Sequence, residues 1–371
     1  MPYQSIDELQ KLLGSEVFSH TKDAKKAAGR ALGTLVEIIT YYLLNEWNFT
    51  HNIAVERGLA EYGNAEITHN VEFTMHPVLW RKTIDIPYTG SLSVTKILAA
   101  AGEIEGNLSP KSINLIDSRN IVKNACIIAE NDAELLLAYL NFLQNNSANV
   151  TLIKQSKKPY AMFECKRVGV EEGARKGPQT IEKAKQGAYV AKTTSALQKI
   201  RNENGDIQGI IYENGVPVIK PYFTLLDEII NQRPQIPDNF ILSVGIVSNH
   251  GNWFTQENQN KELKVLAQSY DWLLFLTDQG LAQFITELLR TPQAPYAAVK
   301  TAFVNSYKEN KKENIFTKVK IDLAAHEALK AYFHTNINQI IGWFNVISPA
   351  DKTVCNLQNI LQTLIQKTDR L

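Results

Sequence analysis

The chain has 371 residues, of which 44% are apolar and 21% are charged, as in folded globular proteins. Its 39 Lys and Arg balance 38 Asp and Glu, and the net charge of +1 argues against binding that relies on the overall attraction of a polyanion. The three cysteines share no close spacing, which excludes a disulfide framework or a cysteine-based zinc site and is typical of a reducing compartment.

Nothing in the sequence indicates a membrane protein. The first residues, MPYQSIDELQKLLG, are polar and amphipathic, without the basic start and apolar run of a secretory signal. No apolar stretch reaches the roughly 20 residues that a membrane-spanning helix needs. We therefore expect a cytoplasmic protein with no membrane contact.

The first part of the chain is predicted to form a long helix and then two strands. Residues 23–47 carry apolar side chains at helical spacing. Residues 70–80 and 83–88 are typical of extended segments. Residues 91–148 favour helices and loops, and their run DAELLLAYLNFLQ is typical of a helix.

The middle of the chain alternates strands with helices. The runs VTLIKQ and YAMFECKRV, joined by the polar turn SKKP, predict a hairpin. Residues 177–201 predict a long helix, and Asn214-Gly215 predicts the turn of a second hairpin. Apolar runs at 240–249 and 271–277 predict two further strands, and this alternation favours a mixed sheet covered by helices.

No repeat or linker divides the chain. The simplest organisation is one α/β domain, residues 1–290, with a helical insertion at about 91–148. Residues 291–371 are predicted to form a helical C-terminal extension packed on the same domain.

A charged triplet, Glu164-Cys165-Lys166, follows the apolar run of a buried strand. Asp/Glu-x-Lys occurs four times in the chain, but only this copy has that context. On a strand, residues i and i+2 point to the same face, so Glu164 and Lys166 project together. The carboxylate suits Mg²⁺, and the ammonium can orient a water or stabilise a phosphate. The alternative is an ion pair at a strand end.

With this triplet the chain resembles the PD-(D/E)XK nuclease superfamily, and within it the type II restriction endonucleases. The resemblance covers roughly residues 25–280: a leading helix, a hairpin ending in Glu-x-Lys, a long helix and one or two further strands. It implies a restriction-endonuclease-like mixed central sheet flanked by helices. It also implies Mg²⁺-dependent hydrolysis of phosphodiester bonds in double-stranded DNA.

The family also has an acidic residue upstream, for which Asp85 in KTIDIPYTG is the best match. Asp85 and Glu164 would then ligate the metal. The family's acid generally lies close before the Glu-x-Lys strand, whereas 79 residues separate Asp85 from Glu164, so residues 91–148 must be an insertion. Asp117 in INLIDSRN is the competing candidate.

Members often carry another acid on the leading helix, and Glu37 occupies that place here. It lies close to the apolar stripe, where an unpaired carboxylate is costly. A partner such as Lys166, Arg30 or a metal-bound water would offset that cost. The alternative is a boundary glutamate in a surface ion pair.

Basic residues after the triplet are candidate DNA contacts. Arg167, Arg175 and Lys176 lie on the approach to a helix N-terminus, which suits phosphates. Gln186 lies on the following helix, where the family often has a polar residue near the metal. The alternative for the approach is a solvated loop balanced by Glu171 and Glu172.

These observations predict a sequence-specific, Mg²⁺-dependent DNA endonuclease of the restriction type. Since one site per chain must cut two strands, a homodimer with two-fold symmetry is expected. The chain has no phosphate-binding loop and no histidine pair at metal-ligand spacing. Two alternatives stay open: a repair or recombination nuclease that recognises DNA structure, and a non-catalytic DNA-binding protein on a nuclease-like fold.

Overall fold

The computed structural model describes residues 5–169, 185–250, 261–308 and 313–370. Within these ranges the chain is an α/β protein with ten α-helices and a mixed central sheet, so the predicted fold class is confirmed at this level. None of the described helices combines the length and the apolar character that crossing a membrane requires. The helices are α1 Ile6–Glu16, α2 Ala24–Glu46, α3 Val94–Ala101, α4 Gln186–Thr194, α5 Tyr222–Asp227, α6 Lys261–Ser269, α7 Asp278–Ile285, α8 Ala297–Ser306, α9 Leu323–Ile341 and α10 Val354–Thr368.

The central sheet has six strands. In spatial order they are β1 Ile53–Arg57, β2 Val71–Met75, β11 Ala161–Gly169, β15 Leu242–His250, β16 Trp272–Leu276 and β18 Phe344–Ser348, numbered along the chain. β1, β2 and β11 are antiparallel neighbours, whereas β15 runs parallel to β11 and β16 parallel to β15. The apolar runs predicted as strands at 240–249 and 271–277 form β15 and β16.

Two helices cover opposite faces of β11. Cys165 donates its thiol hydrogen to Thr40 Oγ1 on α2 at 3.4 Å. Its neighbour Glu164 faces the other way and packs against Gly187 of α4. The long helix predicted at 23–47 is α2, whose first turn is capped by Asp23, which accepts a hydrogen bond from the Lys26 amide at 2.9 Å. The charged triplet is therefore held between two helices.

A second sheet has five strands, in the order β3 Val78–Pro87, β10 Ser147–Ser156, β9 Glu134–Gln144, β8 Cys126–Glu130 and β5 Ser109–Pro110. The predicted hairpin of VTLIKQ with YAMFECKRV is wrong, because β10 pairs with β3 and β9 whereas β11 pairs with β2 and β15. The polar turn between them is a crossing from one sheet to the other.

The helical insertion predicted at 91–148 is also wrong. Its described residues contain one α-helix, α3, and otherwise mainly strands. The run DAELLLAYLNFLQ forms β9, whose alternate side chains enter two separate apolar clusters. Burial on both faces gives a continuous apolar run without the alternation of a half-buried strand. The sheet position overrides the helical preference of Leu, Ala and Glu.

Two smaller sheets complete the fold. One has the order β12 Gln198–Arg201, β13 Ile207–Glu213 and β14 Val216–Pro221, and the other β17 Lys320–Asp322, β7 Ile121–Lys123, β6 Asn114–Ile116 and β4 Leu92–Ser93. Asn214 and Gly215 both have positive φ, at 50° and 80°, which confirms the predicted two-residue turn. The predicted helix at 177–201 is confirmed only in part, since α4 covers Gln186–Thr194 and Gln198–Arg201 forms β12, while residues 177–184 lie outside the described ranges.

The C-terminal region contributes strands to two of the sheets as well as helices. It is mainly helical, as predicted, with α8, α9 and α10, but β18 completes one edge of the central sheet and β17 pairs with β7. The turn before β17 carries Lys318, which is buried. This turn brings a cation to the centre of the molecule.

Candidate active site

Glu164 is a buried carboxylate at the centre of the fold, with only 1% of its surface exposed. Neither oxygen makes a hydrogen bond of good geometry within the described part of the chain, although Oε1 lies 2.6 Å from Lys166 Nζ. Burial raises the pKa of Glu164 to about 7 and the charge of Glu72 adds to this, while Lys166 opposes it. Glu164 is therefore only partly ionised near neutral pH.

Close packing produces this burial. A Cβ on Gly187 would lie 2.5 Å from Glu164 Cβ, so only glycine lets α4 approach β11 this closely. On the neighbouring strand, Gly245 pairs with Glu164 and lets the ring of Tyr270 lie against the sheet, where a Cβ would come within 2.7 Å of it. Water is excluded from the carboxylate on these sides.

Lys166 projects to the same face as Glu164, as the strand spacing predicts. Its Nζ contacts Glu164 Oε1 at 2.6 Å and Glu72 Oε1 at 3.4 Å. Although burial opposes the charge, the two carboxylates raise the pKa of Lys166 above its ordinary value. Lys166 is therefore an ammonium at neutral pH and acts as a hydrogen-bond donor and not as a base.

Glu72 on β2 is the acid that the sequence analysis missed. Its Oε2 contacts Lys318 Nζ, while its Oε1 faces Lys166. The register of β2 with β11 ends at the pair of Phe73 with Phe163, and Glu72 and Glu164 are the next residues of the two strands. A signal was present, since Glu72 is an acid between the apolar residues Val71 and Phe73, but its pairing with β11 depends on a contact across 94 residues.

Glu37 on α2 joins the same cluster. Lys318 Nζ lies 2.8 Å from its Oε2. Burial raises the pKa of Glu37 to about 7, with a further contribution from Glu72, and Lys318 and Lys166 oppose this shift. The structure therefore brings together Glu37, Glu164 and Lys166, three of the four predicted catalytic residues, and it adds Glu72 and Lys318.

Asp85 is not part of this cluster. It lies on β3 of the second sheet and accepts a hydrogen bond from Asn149 Nδ2 at 2.7 Å at an exposed position. The competing Asp117 pairs with Arg119 at 2.7 Å in the turn between β6 and β7. The assignment of the upstream acid to Asp85 is thus corrected: Glu72 lies where that acid was expected, because β2 and not β3 borders β11.

Of the four residues predicted to contact DNA, two, Arg167 and Gln186, lie in the described ranges. Arg167 donates hydrogen bonds to Gln10 Oε1 at 2.7 Å and to the Gly29 carbonyl at 3.3 Å, so its guanidinium bridges α1 and α2. Its role in DNA binding stays a prediction beside these internal contacts. Arg175 and Lys176 lie outside the described residues. Gln186 is exposed as the first residue of α4 and borders a cleft of about 760 Å³.

None of the cluster residues Glu37, Glu72, Glu164, Lys166 and Lys318 lines this cleft. Its walls include His69, Gln186, Tyr189, Lys192 and Lys199. Nε2 of His69 is buried and has no hydrogen-bond partner in the described ranges. Burial and the charge of Lys166 lower the pKa of His69, which keeps the ring neutral at neutral pH. The lining of the cleft is thus polar and of mixed charge, since Glu66 and Asp271 lie in its walls together with Lys192 and Lys199.

Two carboxylates of the cluster fit a divalent cation. The described side chains include no preassembled group of three or more His, Cys, Asp and Glu in a metal-binding arrangement. Mg²⁺, however, usually keeps several waters and takes one or two carboxylates. Glu164 and Glu72, which share a contact with Lys166, are two carboxylates of the kind that requirement names. A cation there would replace the proton that the raised pKa of Glu164 implies.

No family model, curated protein or solved structure matches the chain. What the protein does is therefore argued from the geometry of its own residues.

Proposed function

We propose that the protein is a Mg²⁺-dependent endonuclease that hydrolyses phosphodiester bonds of double-stranded DNA, of the type II restriction kind. The observation that carries this proposal is the group formed by Glu72, Glu164 and Lys166: two carboxylates on the neighbouring antiparallel strands β2 and β11, both contacted by one ammonium. A plain ion pair needs only one carboxylate. The second one, Glu72, offers a metal a second oxygen ligand, for which the metal would compete with Lys318.

The order of the elements supports the same proposal. Helix α2 is followed by three antiparallel neighbours, β1, β2 and β11, then by α4 and by β15 parallel to β11. A leading helix, an antiparallel unit that ends in Glu-x-Lys, a helix and a further strand are what the resemblance to PD-(D/E)XK nucleases implies. The second sheet, with strands β3, β5, β8, β9 and β10, is then part of an insertion between the two acid-bearing strands.

Glu72 and Glu164 would hold the Mg²⁺. The bound ion would lower the pKa of a water and offset charge on the phosphate. Glu164 must lose its proton to ligate, and its pKa near 7 sets the pH above which this becomes easy. We therefore expect metal binding to strengthen with pH across neutrality.

Lys166 would position the attacking water and stabilise the negative charge that develops on the phosphate. Its raised pKa keeps Lys166 charged. Its contact with Glu164 at 2.6 Å holds the ammonium beside the proposed metal ligand. A preorganised cation of this kind stabilises the transition state more than the ground state. Glu37 would support the cluster through Lys318 without touching the substrate.

The substrate and the assembly follow from the same proposal. With one cluster per chain, cutting both strands of a duplex favours a homodimer that matches a palindromic site. The near-neutral net charge of +1 is compatible with an enzyme that keeps nonspecific DNA affinity modest.

The test is digestion of phage and plasmid DNA by the purified protein with Mg²⁺ and with EDTA. Discrete fragments that require Mg²⁺ would support a restriction-type endonuclease. Cleavage only of branched or damaged DNA would favour a repair or recombination nuclease. Binding without cleavage of any DNA would overturn the proposal in favour of a DNA-binding protein.

A further inference from the structure

A second cleft, of about 810 Å³, lies between α2, α9, β7 and the second sheet. None of the cluster residues Glu37, Glu72, Glu164, Lys166 and Lys318 lines it. Its volume is that of pockets that enclose small organic ligands, about 300–1,000 Å³. The second cleft is therefore a candidate ligand site apart from the proposed metal site.

Two cations in the walls of the second cleft have no charged partner in the described part of the chain. Arg81 on β3 is exposed and Lys123 on β7 is half-buried, and the side chain of neither makes an ion pair or a hydrogen bond within these ranges. Burial, with a contribution from the charge of Arg81, lowers the pKa of His51, so this imidazole of the wall is neutral at neutral pH. Cations without a counter-charge suit the anionic group of a ligand, and the fork of an arginine suits a phosphate in particular.

The acids in the walls do not supply the missing negative charge. Glu327 pairs with Lys330 at 3.3 Å, and both lie on α9. Glu46, at the end of α2, lies 2.9 Å from Nδ1 of His334. Among the described residues of the lining, three lysine and arginine side chains face only these two carboxylates. The second cleft therefore favours an anion over a cation.

His326 presents a polar group to the second cleft from an enclosed position. Only 9% of its surface is exposed, and its Nδ1 lies 2.8 Å from the hydroxyl of Tyr42. Within the described ranges Nε2 has no hydrogen-bond partner, because the carboxylate of Glu327 is 4.0 Å away. Burial, with a contribution from Lys330, lowers the pKa of His326 to about 3 and keeps the ring neutral. Its Nε2 is thus available for a hydrogen bond to a ligand.

Aromatic rings form much of the remaining wall. The rings of His51 and Tyr139 meet edge to face, with centroids 5.9 Å apart, and those of Tyr42 and Phe333 lie 5.6 Å apart. Side-chain amides also border the second cleft, those of Asn45, Asn48 and Asn141. Rings pack against a flat heterocycle, and amides form hydrogen bonds with its polar edge. Together with the cations, this lining suits a nucleobase joined to a phosphate.

We propose that the second cleft binds a nucleoside monophosphate. Arg81 and Lys123 would contact the phosphate, while Nε2 of His326 and the amides would form hydrogen bonds with the rest of the ligand. This inference goes beyond the proposed function, because the second cleft shares no residue with the carboxylate cluster and its binding groups need no metal.

The test is isothermal titration calorimetry of the protein with each of the four common nucleoside monophosphates, in EDTA and without DNA. At least one of them is expected to bind with one site per chain. Arg81→Met and Lys123→Met should each weaken binding about tenfold or more, since a hydrogen bond to a charged group is lost. Lys352→Met is the matched control, because Lys352 is an exposed lysine outside the walls of the second cleft, and it should bind as the wild-type protein does.

Glu164→Gln separates this inference from the proposed function. It should bind the nucleotide unchanged, because Glu164 lies in the cluster and not in the second cleft. Binding of none of the four nucleotides would overturn the inference and leave the nuclease proposal standing, since EDTA removes the metal on which cleavage depends. Undiminished binding by both Arg81→Met and Lys123→Met, or loss of binding in Glu164→Gln, would also overturn it. So would inorganic phosphate that binds as tightly as the nucleotide.

Discussion

Glu72 and Glu164 are the residues next to Phe73 and Phe163, the last pair in the antiparallel register of β2 with β11. Lys166 Nζ joins the two carboxylates, at 3.4 Å from Glu72 and 2.6 Å from Glu164. Two carboxylates this close repel each other unless cations lie between them. This relationship assigns the candidate site to the central sheet and leaves Asp85 outside it.

Glu72→Gln should abolish the thermal stabilisation by Mg²⁺, because it removes one of the two proposed ligands. A ligand at ten times its Kd adds about 1.4 kcal/mol to the free energy of unfolding. Asp85→Asn should keep the full increase in Tm, since Asp85 bonds only to Asn149 at an exposed position in the second sheet. Thermal melts with Mg²⁺ and with EDTA measure both variants. An increase lost in Asp85→Asn but kept in Glu72→Gln would restore Asp85 as the upstream acid.

The stability of the metal-free protein should fall as the pH rises through neutrality. Burial raises the pKa of both Glu37 and Glu164 from 4.5 to about 7. The folded state therefore binds more protons than the unfolded state between these values, and the stability this contributes is complete below pH 4.5 and lost as the pH passes 7.

Glu164→Gln removes one of the two carboxyl groups whose pKa is raised on folding. In EDTA, the stability of the variant relative to the wild-type protein should rise by roughly 2–3 kcal/mol between acidic and mildly alkaline pH. Urea unfolding at several pH values measures this, with the exposed Glu103→Gln as the control. If the difference between Glu164→Gln and the wild-type protein does not change with pH, the carboxylate of Glu164 is not desolvated as described.

Gly187→Ala should destabilise the protein, because the added Cβ would lie 2.5 Å from Glu164 Cβ and must push α4 away from β11. Overpacking of this kind costs about 1–3 kcal/mol. Gly33→Ala is the matched control: Gly33 lies within α2 and a Cβ there meets nothing within 4 Å, so its helix should become more stable by up to about 1 kcal/mol. Urea unfolding of both variants checks this, and equal effects would contradict the close approach of α4.

Only one of the three thiols should react in the folded protein. Cys355 is exposed, whereas Cys126 and Cys165 are buried. Burial raises the pKa of Cys126 to about 11 and that of Cys165 well above its ordinary value, which keeps both as unreactive thiols. Titration with a thiol reagent before and after unfolding counts the reactive thiols, with one expected in the folded protein and three in the unfolded protein. Fast modification of Cys165 in the folded state would show that the α2 face of β11 is open to solvent.

The sequence predicted those parts of the site that depend on local spacing. Glu164 and Lys166 share a face because they are two residues apart on a strand, and Glu37 was found from its place on a long helix. Glu72 was missed because the sheet that a strand joins is decided by distant pairing, and the second sheet separates β2 from β11 along the chain. Lys318 had no local signal, since its contact with Glu72 spans 246 residues.

In the fold, too, elements with a local sequence pattern were predicted and elements that depend on distant pairing were missed. The strands β15 and β16, the helix α2 and the turn at Asn214 and Gly215 follow from patterns within short windows. β9 does not, because Leu, Ala and Glu favour a helix in isolation and only burial between β8 and β10 makes the segment a strand.

The most direct test of the central claim is cleavage of plasmid DNA by the wild-type protein, Lys166→Ala, Glu72→Gln and Asp85→Asn, each with Mg²⁺ and with EDTA. We expect Mg²⁺-dependent cleavage by the wild-type protein and by Asp85→Asn, and losses of about 10²-fold or more in Lys166→Ala and Glu72→Gln, as when a group that stabilises the transition state is removed. Undiminished cleavage by Lys166→Ala and Glu72→Gln, or no cleavage by the wild-type protein, would contradict the account.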